Sequence, residues 1–341
     1  MTVGGDGPLL TALRDAHVPV FVHPIRVFFY ARRPFPFLWQ MLRMVVCIRR
    51  HRIQLVHVNE HEHYPVVARA AYLARVPIVV HLRFRPEPAM CQWLFKGPSM
   101  PRRLFFTSQT QMDDSADAVA TAVPRERWRL VYNGLDLATF GIDRSARDRL
   151  RREWGLDPGT IAIGTASSIS SRKRLDHFVR MIAALVGVGL DVRGFIAGQP
   201  YFPADQDELR TLKALTVTLA VDDRVTFLGY VEPAEPLYHA WDVCVSTSAY
   251  ETFGMTVLEA MACRCPVVAY PGGSVAEVLG DGGVLVDDGD LPALIEAIRA
   301  LASDPGHRAA MAGAARRRAE RFDIRRSVDQ LAAEYRAVLE A

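Results

Sequence analysis

Two glutamates flank a Phe-Gly turn in the stretch Ser246-Thr247-Ser248-Ala249-Tyr250-Glu251-Thr252-Phe253-Gly254-Met255-Thr256-Val257-Leu258-Glu259-Ala260-Met261-Ala262. The apolar run from Met255 predicts a helix. The amides of Phe253, Gly254, Met255, Thr256 and Val257 then fall at a helix N-terminus, where free N–H groups and the dipole favour a phosphate. Glu259 lies one turn further in, about 6 Å along the axis at 1.5 Å per residue. From there its carboxylate can accept hydrogen bonds from a ribose diol while phosphates rest on the amides. Glu251 precedes the turn and reaches the hydroxyls of a sugar. These are the needs of a sugar carried on a nucleoside diphosphate. The plainer reading is a strand–turn–helix of an α/β sheet with two solvated glutamates.

The stretch continues as Pro266-Val267-Val268-Ala269-Tyr270-Pro271-Gly272-Gly273-Ser274-Val275-Ala276-Glu277, a buried-strand pattern running into a second Gly-rich turn with another acid. Together the two segments resemble the retaining family 4 glycosyltransferases, and the resemblance extends from about His57 to the C-terminus. It implies a GT-B fold, an α/β architecture of two Rossmann-like domains facing a central cleft. It also implies transfer of a hexose-type sugar from a nucleotide donor with retention of configuration, by a front-face route in which the departing phosphate helps deprotonate the acceptor. In that scheme Arg172 and Lys173 hold the diphosphate, Phe253 to Val257 donate amides, Glu259 holds the ribose, Glu251 the sugar, and His81 lines the acceptor side. Lys173, in Ser167-Ser168-Ile169-Ser170-Ser171-Arg172-Lys173-Arg174, matches the family lysine, whereas Ser168 stands where relatives carry an arginine. Arg172 supplies the missing charge. Cations there stabilise the leaving diphosphate, a role metal ions fill elsewhere, so no cofactor and no metal are expected. Gly198 and Gly229-Tyr230-Val231 resemble the turns that frame the base and diphosphate. A non-catalytic sugar-nucleotide-binding relative and a GT-B sugar-nucleotide epimerase are the alternatives, separated by release of nucleoside diphosphate with and without acceptor.

Other chemistry is weaker. His81 ends the buried run Val76-Pro77-Ile78-Val79-Val80-His81, at the strand end where α/β proteins bind ligands, with His57 as a rival. His57, Asn59, His61 and His63 with Glu60 and Glu62 invite a metal reading; their place between a strand end and Pro65 favours a loop beside the acceptor. Asp288-Gly289-Asp290 has the form of a metal motif, but a turn and a helix N-cap account for both acids. Cys263-Arg264-Cys265 lacks paired zinc spacing and puts Arg264 where the family has glycine. The five cysteines read as reduced thiols.

Strand patterns alternate with helical ones throughout, which predicts parallel α/β. Strands are expected at Val18–Val22, Leu55–Val58, Ile78–His81, Leu104–Thr107 and Trp128–Tyr132. A second set falls at Ile161–Ala166, Val192–Ala197, Val225–Leu228, Val243–Ser246, Pro266–Ala269 and Gly283–Val286. Helices fall at Trp39–Arg50, Pro65–Ala74, Leu175–Val186, Asp205–Leu219, Met255–Cys263, Leu291–Ala302 and from Pro305 onward. At 341 residues the chain has room for two cores. The expected division is an acceptor-side domain 1–142, a charged linker 143–155, a nucleotide-sugar domain 156–322, and a C-terminal helix 323–341 crossing back to the first domain. The start, Gly4-Gly5-Asp6-Gly7-Pro8, is either a glycine loop after a strand stub at Met1-Thr2-Val3 or a later turn in a domain lacking its first strand and helix; the second register is the expected one.

Charged residues are 23 % and the net charge is +3, which suits a globular enzyme and calls for no nucleic-acid partner. No signal peptide and no apolar run of about 20 residues is present, so a cytoplasmic protein is expected. The acceptor is a glycan, a lipid-linked species or a small molecule. The segment from Arg26 to Trp39 is aromatic and basic, with Phe28, Phe29, Tyr30, Phe35, Phe37, Arg32 and Arg33. The following amphipathic helix, with Leu38, Met41, Leu42, Val45 and Val46 beside Arg49, Arg50 and Arg52, reads as a core helix. The aromatic loop remains a lipid or acceptor contact, peripheral to the inner face of the membrane.

Overall fold

Runs such as Ile78–Leu82 and Val243–Ser246 are apolar at every position because parallel strands are covered on both faces. The computed structural model of the chain describes residues 2–3, 7–23, 34–59, 61–95, 97–141 and 143–341. Its chain divides into two units. The first comprises Met1–Phe106, Asp114–Leu130 and Ala332–Ala341, and the second Thr107–Asp113 and Val131–Leu331.

In the first unit β1 (Thr2–Val3) pairs in parallel with β2 (Phe21–Val22), joined through the helix Pro8–Asp15. Among the described residues β1 and β2 form a sheet of their own, and the glycines Gly4-Gly5 with Asp6 lie outside the described residues. A second parallel sheet has the order β3-β4-β5-β6, made of Val56–Val58, Ile78–Leu82, Arg103–Phe106 and Trp128–Leu130. The helix Ile324–Glu340 ends in this unit. Glu334 accepts from Arg103 Nε at 2.9 Å and Arg129 Nε at 3.0 Å, bridging β5 and β6 with one carboxylate.

The helix Pro34–Arg50 has two apolar faces. Met41, Met44, Val45 and Ile48 are buried, as expected for a core helix. Phe35, Leu38, Trp39, Leu42 and Val46 are exposed, Phe35 by 83 % and Val46 by 62 %. The core reading thus holds for one face only. The aromatic stretch 26–33 lies outside the described residues.

In the second unit a parallel sheet runs β12-β11-β10-β7-β8-β9, built from Val284–Leu285, Val267–Ala269, Val243–Ser246, Ile161–Ala166, Val192–Ala197 and Val225–Gly229. Neighbouring strand residues fall into two different cores. Ala162, Phe195, Cys244 and Val267 pack with Tyr238, Trp241, Phe253 and Met261. Ile163, Ile196, Val245 and Val268 pack with Phe178, Ile182, Tyr270 and Ile298. This is the period-two alternation of a sheet covered on both faces.

The segment expected as a linker is a helix, Arg144–Glu153, fixed to the second unit. Asp143 caps it, accepting from Ala146 N at 3.0 Å. Arg147 and Arg151 converge on Asp242 at 2.6 and 2.9 Å, and Asp242 also accepts from Ala162 N at 2.8 Å. The charge that reads as a solvated tether is directed at a single half-buried carboxylate. The first unit also ends earlier than expected, because residues 131–142 and the segment 107–113 belong to the second.

Candidate functional site

Strand order in the second unit reverses between β7 and β10: the chain leaves β7 toward β8 and β9, then returns to β10 on the other side. Ligands of open α/β sheets bind at that reversal, beyond the carboxyl ends of the strands. Residues 167–173 follow β7 and residues 247–254 follow β10. The two loops are knitted together. Ala249 N donates to Arg172 O at 2.9 Å, Thr247 Oγ1 to Lys173 O at 2.7 Å, and Arg172 Nη1 to Tyr250 O at 2.6 Å. The Lys173 ammonium donates to Glu251 Oε1, and Arg172 Nη1 lies 3.9 Å from Glu251 Oε2. The structure thus joins Arg172, Lys173 and Glu251 in one charge cluster. Lys173 is buried within it, while the Arg172 side chain is 52 % exposed.

The turn after Glu251 is held rigidly. Thr252 O accepts from Thr107 Oγ1 at 3.0 Å, Ser108 Oγ at 3.2 Å and Ser274 Oγ at 2.9 Å. Phe253 is buried edge-on to Phe322, with ring centroids 5.7 Å apart, so only its backbone faces the turn. Gly254 sits at φ 92, a left-handed conformation that suits glycine, and starts the helix Met255–Ala262 without a capping side chain. Among the described residues no acceptor takes the N–H of Phe253, Gly254, Met255 or Thr256. Val257 N donates to Gly254 O at 3.1 Å, which removes it from the expected set of free donors. Glu259 accepts from Tyr238 OH at 2.7 Å, leaving its other oxygen available. Burial lifts the Glu259 carboxyl above its ordinary range, the Tyr238 hydrogen bond opposes that rise, and the Glu235 charge adds to it.

Gly198 closes β8 beside the end of β7. It sits at φ +144, and a Cβ there would lie 1.7 Å from Ser167 O. Its contribution in this structure is the close approach of two strand ends that carry the site. Glu277, the acid of the second Gly-rich turn, binds the segment 107–113 to the second unit. It accepts from Gln109 N at 2.9 Å, Thr110 N at 2.8 Å, Thr110 Oγ1 at 2.8 Å and Tyr132 OH at 2.7 Å. Burial alone would raise this carboxyl, but the four donors together hold it below its ordinary value. Thr107, Ser108, Ser274, Tyr132 and Tyr238 carry no spacing signal in the sequence. Their partners are 20 or more residues away, so only the fold reveals them.

His81, in the first unit, is buried on β4. Its Nδ1 meets His57 Nε2 at 3.0 Å, and His57 Nδ1 meets Tyr335 OH. The rival histidines of the sequence are thus partners. Burial, the neighbouring ring and Arg83 depress His81 to about 3, and burial with Arg83 brings His57 to about 4.

Asp288 forms a two-pronged pair with Arg174 at 2.7 and 3.3 Å, and Asp290 caps the helix Leu291–Ser303 through Ala293 N at 2.9 Å. Arg264 occupies the expected tight turn at φ 59. Cys244, Cys263 and Cys265 are free and buried, and burial pushes the Cys263 thiol to about 12. His61 packs on Phe84 at 3.9 Å between ring centroids in a 3-10 turn, while Glu60 and the side chain of Glu62 lie outside the described residues. No helix among the described residues is long and apolar enough to cross a membrane.

Residues 146–318 match the family profile described as glycosyl transferases group 1. The chain is 31 % identical over 283 residues to the lipopolysaccharide core biosynthesis mannosyltransferase LpcC of Rhizobium leguminosarum, covering 76 % of this chain and 78 % of the relative. It is 30 % identical over 297 residues to a D-inositol 3-phosphate glycosyltransferase of Mycolicibacterium smegmatis, covering 81 % of this chain and 66 % of that one. Among solved structures, Anabaena HepE in complex with UDP-glucose superposes with a TM-score of 0.85 at 24 % identity, covering 98 % of this chain and 91 % of HepE.

Proposed function

The chain belongs to the glycosyl transferases group 1 family, a glycosyltransferase with the α/β architecture of the GT-B fold, and on that premise we propose that its second unit holds a nucleoside-diphosphate sugar. One observation carries this reading: at the strand-order reversal, Lys173, Arg172 and Glu251 form a charge cluster next to a helix start whose first amides have no acceptor among the described residues. The diphosphate rests on the Gly254, Met255 and Thr256 amides, with Arg172 and Lys173 against its outer oxygens. The free oxygen of Glu259 takes the ribose diol and Glu251 the hydroxyls of the transferred sugar. HepE structures with UDP and with UDP-glucose support a nucleotide-sugar donor.

In the proposed reaction the acceptor hydroxyl attacks the anomeric carbon on the face that the diphosphate leaves. Its proton passes to the departing phosphate oxygen as the old C–O bond breaks, so configuration is retained and nucleoside diphosphate is released. Two cations and a helix N-terminus supply the stabilising charge, and we propose that no divalent metal is needed. Calorimetry with UDP in EDTA tests this. Binding that survives chelation and is lost in Lys173→Ala supports the assignment, and complete loss on chelation overturns its metal-free part. The anomer of the product, read by proton NMR, decides retention, and release of UDP only with acceptor separates transfer from epimerisation.

A second reading concerns where the acceptor lies. The exposed stripe of Phe35, Leu38, Trp39, Leu42 and Val46, with Arg43 stacked 4.5 Å from the Trp39 ring centre and Arg49 and Arg50 close by, is an apolar face with basic flanks. We propose that a cytoplasmic enzyme rests this face on an anionic leaflet and takes a lipid-linked acceptor there. Flotation with phosphatidylglycerol vesicles should show binding at low salt that weakens as ionic strength rises, since screening acts within about 10 Å at 0.1 M. Absence of binding at low salt overturns it.

A further inference from the structure

We propose that Tyr335 and His57 are positioning residues that fix the tautomer of His81, so that His81 presents a protonated Nε2 and acts as a hydrogen-bond donor rather than a base. The role rests on His81 as a substrate contact of the transfer reaction; the tautomer itself does not.

The tautomer follows from which partner donates. A neutral imidazole carries one N–H. Both nitrogens of His57 are engaged, Nδ1 with Tyr335 OH and Nε2 with His81 Nδ1 at 3.0 Å. The two rings lie 5.0 Å apart between centroids with planes 29° apart, close to the edge-to-edge arrangement of an N–H···N bond. Two arrangements satisfy the pair. In the first, Tyr335 O–H donates to His57 Nδ1, His57 Nε2–H donates to His81 Nδ1, and His81 keeps its proton on Nε2. In the second every direction reverses: His57 Nδ1–H donates to Tyr335, His81 Nδ1–H donates to His57, and His81 Nε2 is bare.

The first arrangement pairs the Tyr335 and His57 protons and leaves His81 Nε2–H, the donor offered to substrate, without an acceptor among the described residues. The second instead leaves the phenol proton of half-buried Tyr335 with no acceptor among the described residues, so the number of unmade bonds is equal and donor strength decides. The second pairs the groups the wrong way round, because a phenol of pKa about 10 is a better donor than a neutral imidazole and a poorer acceptor. Adding a proton to the chain is no escape, since both rings are buried beside Arg83 and held far below the ordinary histidine range, at about 4 and about 3. Phe105, 5.1 Å from the His81 ring and 5.7 Å from His57, flanks both rings and limits their rotation. The anchor of the chain is firm, because Glu334, next to Tyr335, is bonded to Arg103 and Arg129.

A His81 of this kind can stabilise negative charge building on an oxygen, but cannot accept the acceptor's proton. That fits a reaction in which the leaving phosphate is the base.

Nitrogen-15 NMR of histidine-labelled full-length protein decides the tautomer, with His81 signals identified by their loss in His81→Ala. His57 and His81 both protonated on Nε2 across pH 6–8 is the expected result, and His81 protonated on Nδ1 overturns the proposal without any variant having to fold. In Tyr335→Phe, His57 loses its fixed donor. His81 should then populate both tautomers, and kcat should fall about tenfold with UDP affinity unchanged. An unaltered tautomer and kcat in that variant overturn the role of Tyr335. Full turnover in His81→Ala overturns the substrate contact instead, leaving the tautomer measurement to stand by itself.

Discussion

Glu259 and Tyr238 show how a neighbour far in sequence tunes a ligand-facing group. Removing the carboxylate in Glu259→Ala should weaken UDP binding by about 1.5–3 kcal/mol, the worth of a charge-assisted hydrogen bond. Tyr238→Phe should do something different. Its hydroxyl favours the charged carboxylate, so without it the Glu259 pKa rises further. Affinity should then fall on acidification at a higher pH than in the parent and recover on the alkaline side, a shift that calorimetry from pH 5.5 to 8 would reveal. An equal loss at every pH would mean that Tyr238 acts only by packing. Gly198→Ala should destabilise by about 1–3 kcal/mol or more, because a Cβ at φ +144 would meet Ser167 O at 1.7 Å; thermal melting measures it. At this scale the sequence was legible where spacing is local. Glu251 and the Gly254 turn are read from local spacing, and Lys173 from the family resemblance. That Lys173 pairs with Glu251, or that His57 bonds to His81, depends on which strands become neighbours.

Among the elements, Glu277 gives a pH dependence whose sign is fixed. Its carboxyl is held below the ordinary value in the folded chain, so its contribution is present above the unfolded pKa of about 4.3 and is lost as pH falls through the folded one. Glu277→Gln should therefore lower the melting temperature at pH 7, and the gap to the parent should close below about pH 4. A gap independent of pH would remove the charge from the explanation. Asp242→Asn leaves Arg151, whose side chain is 11 % exposed, without its carboxylate; the expected loss is about 3 kcal/mol, read by denaturant unfolding. The long elements were predictable, and β7, β8 and β10 fall on their expected residues. The helix Arg144–Glu153 was hidden because its partner Asp242 lies 91 residues beyond Arg151. The strand Thr2–Val3 was one of two open readings, because two residues carry no period.

For the whole molecule, the nucleotide reading predicts a localised footprint. In hydrogen-exchange measurements UDP should protect amides at 167–174 and 253–256 in the second unit and leave β3 and β4 unchanged. Equal protection in both units would contradict a donor site built from the second alone. The two-unit, parallel α/β plan was readable from alternating strand and helix patterns, but the division between the units was not. The chain passes from one unit to the other after Phe106, Asp113, Leu130 and Leu331. A grafting experiment that seeks a new acceptor by exchanging the first unit therefore has no single crossover point. A junction at 130 would import a foreign 107–113, stripping Glu277 of Thr110 and Thr252 of two of its three hydroxyl donors. It would also leave the native Tyr335 facing a foreign strand in place of His57. A functional hybrid must exchange three separated pieces and keep a seven-residue island, so relatives of this enzyme are better recombined by three-dimensional neighbourhood than by position along the gene.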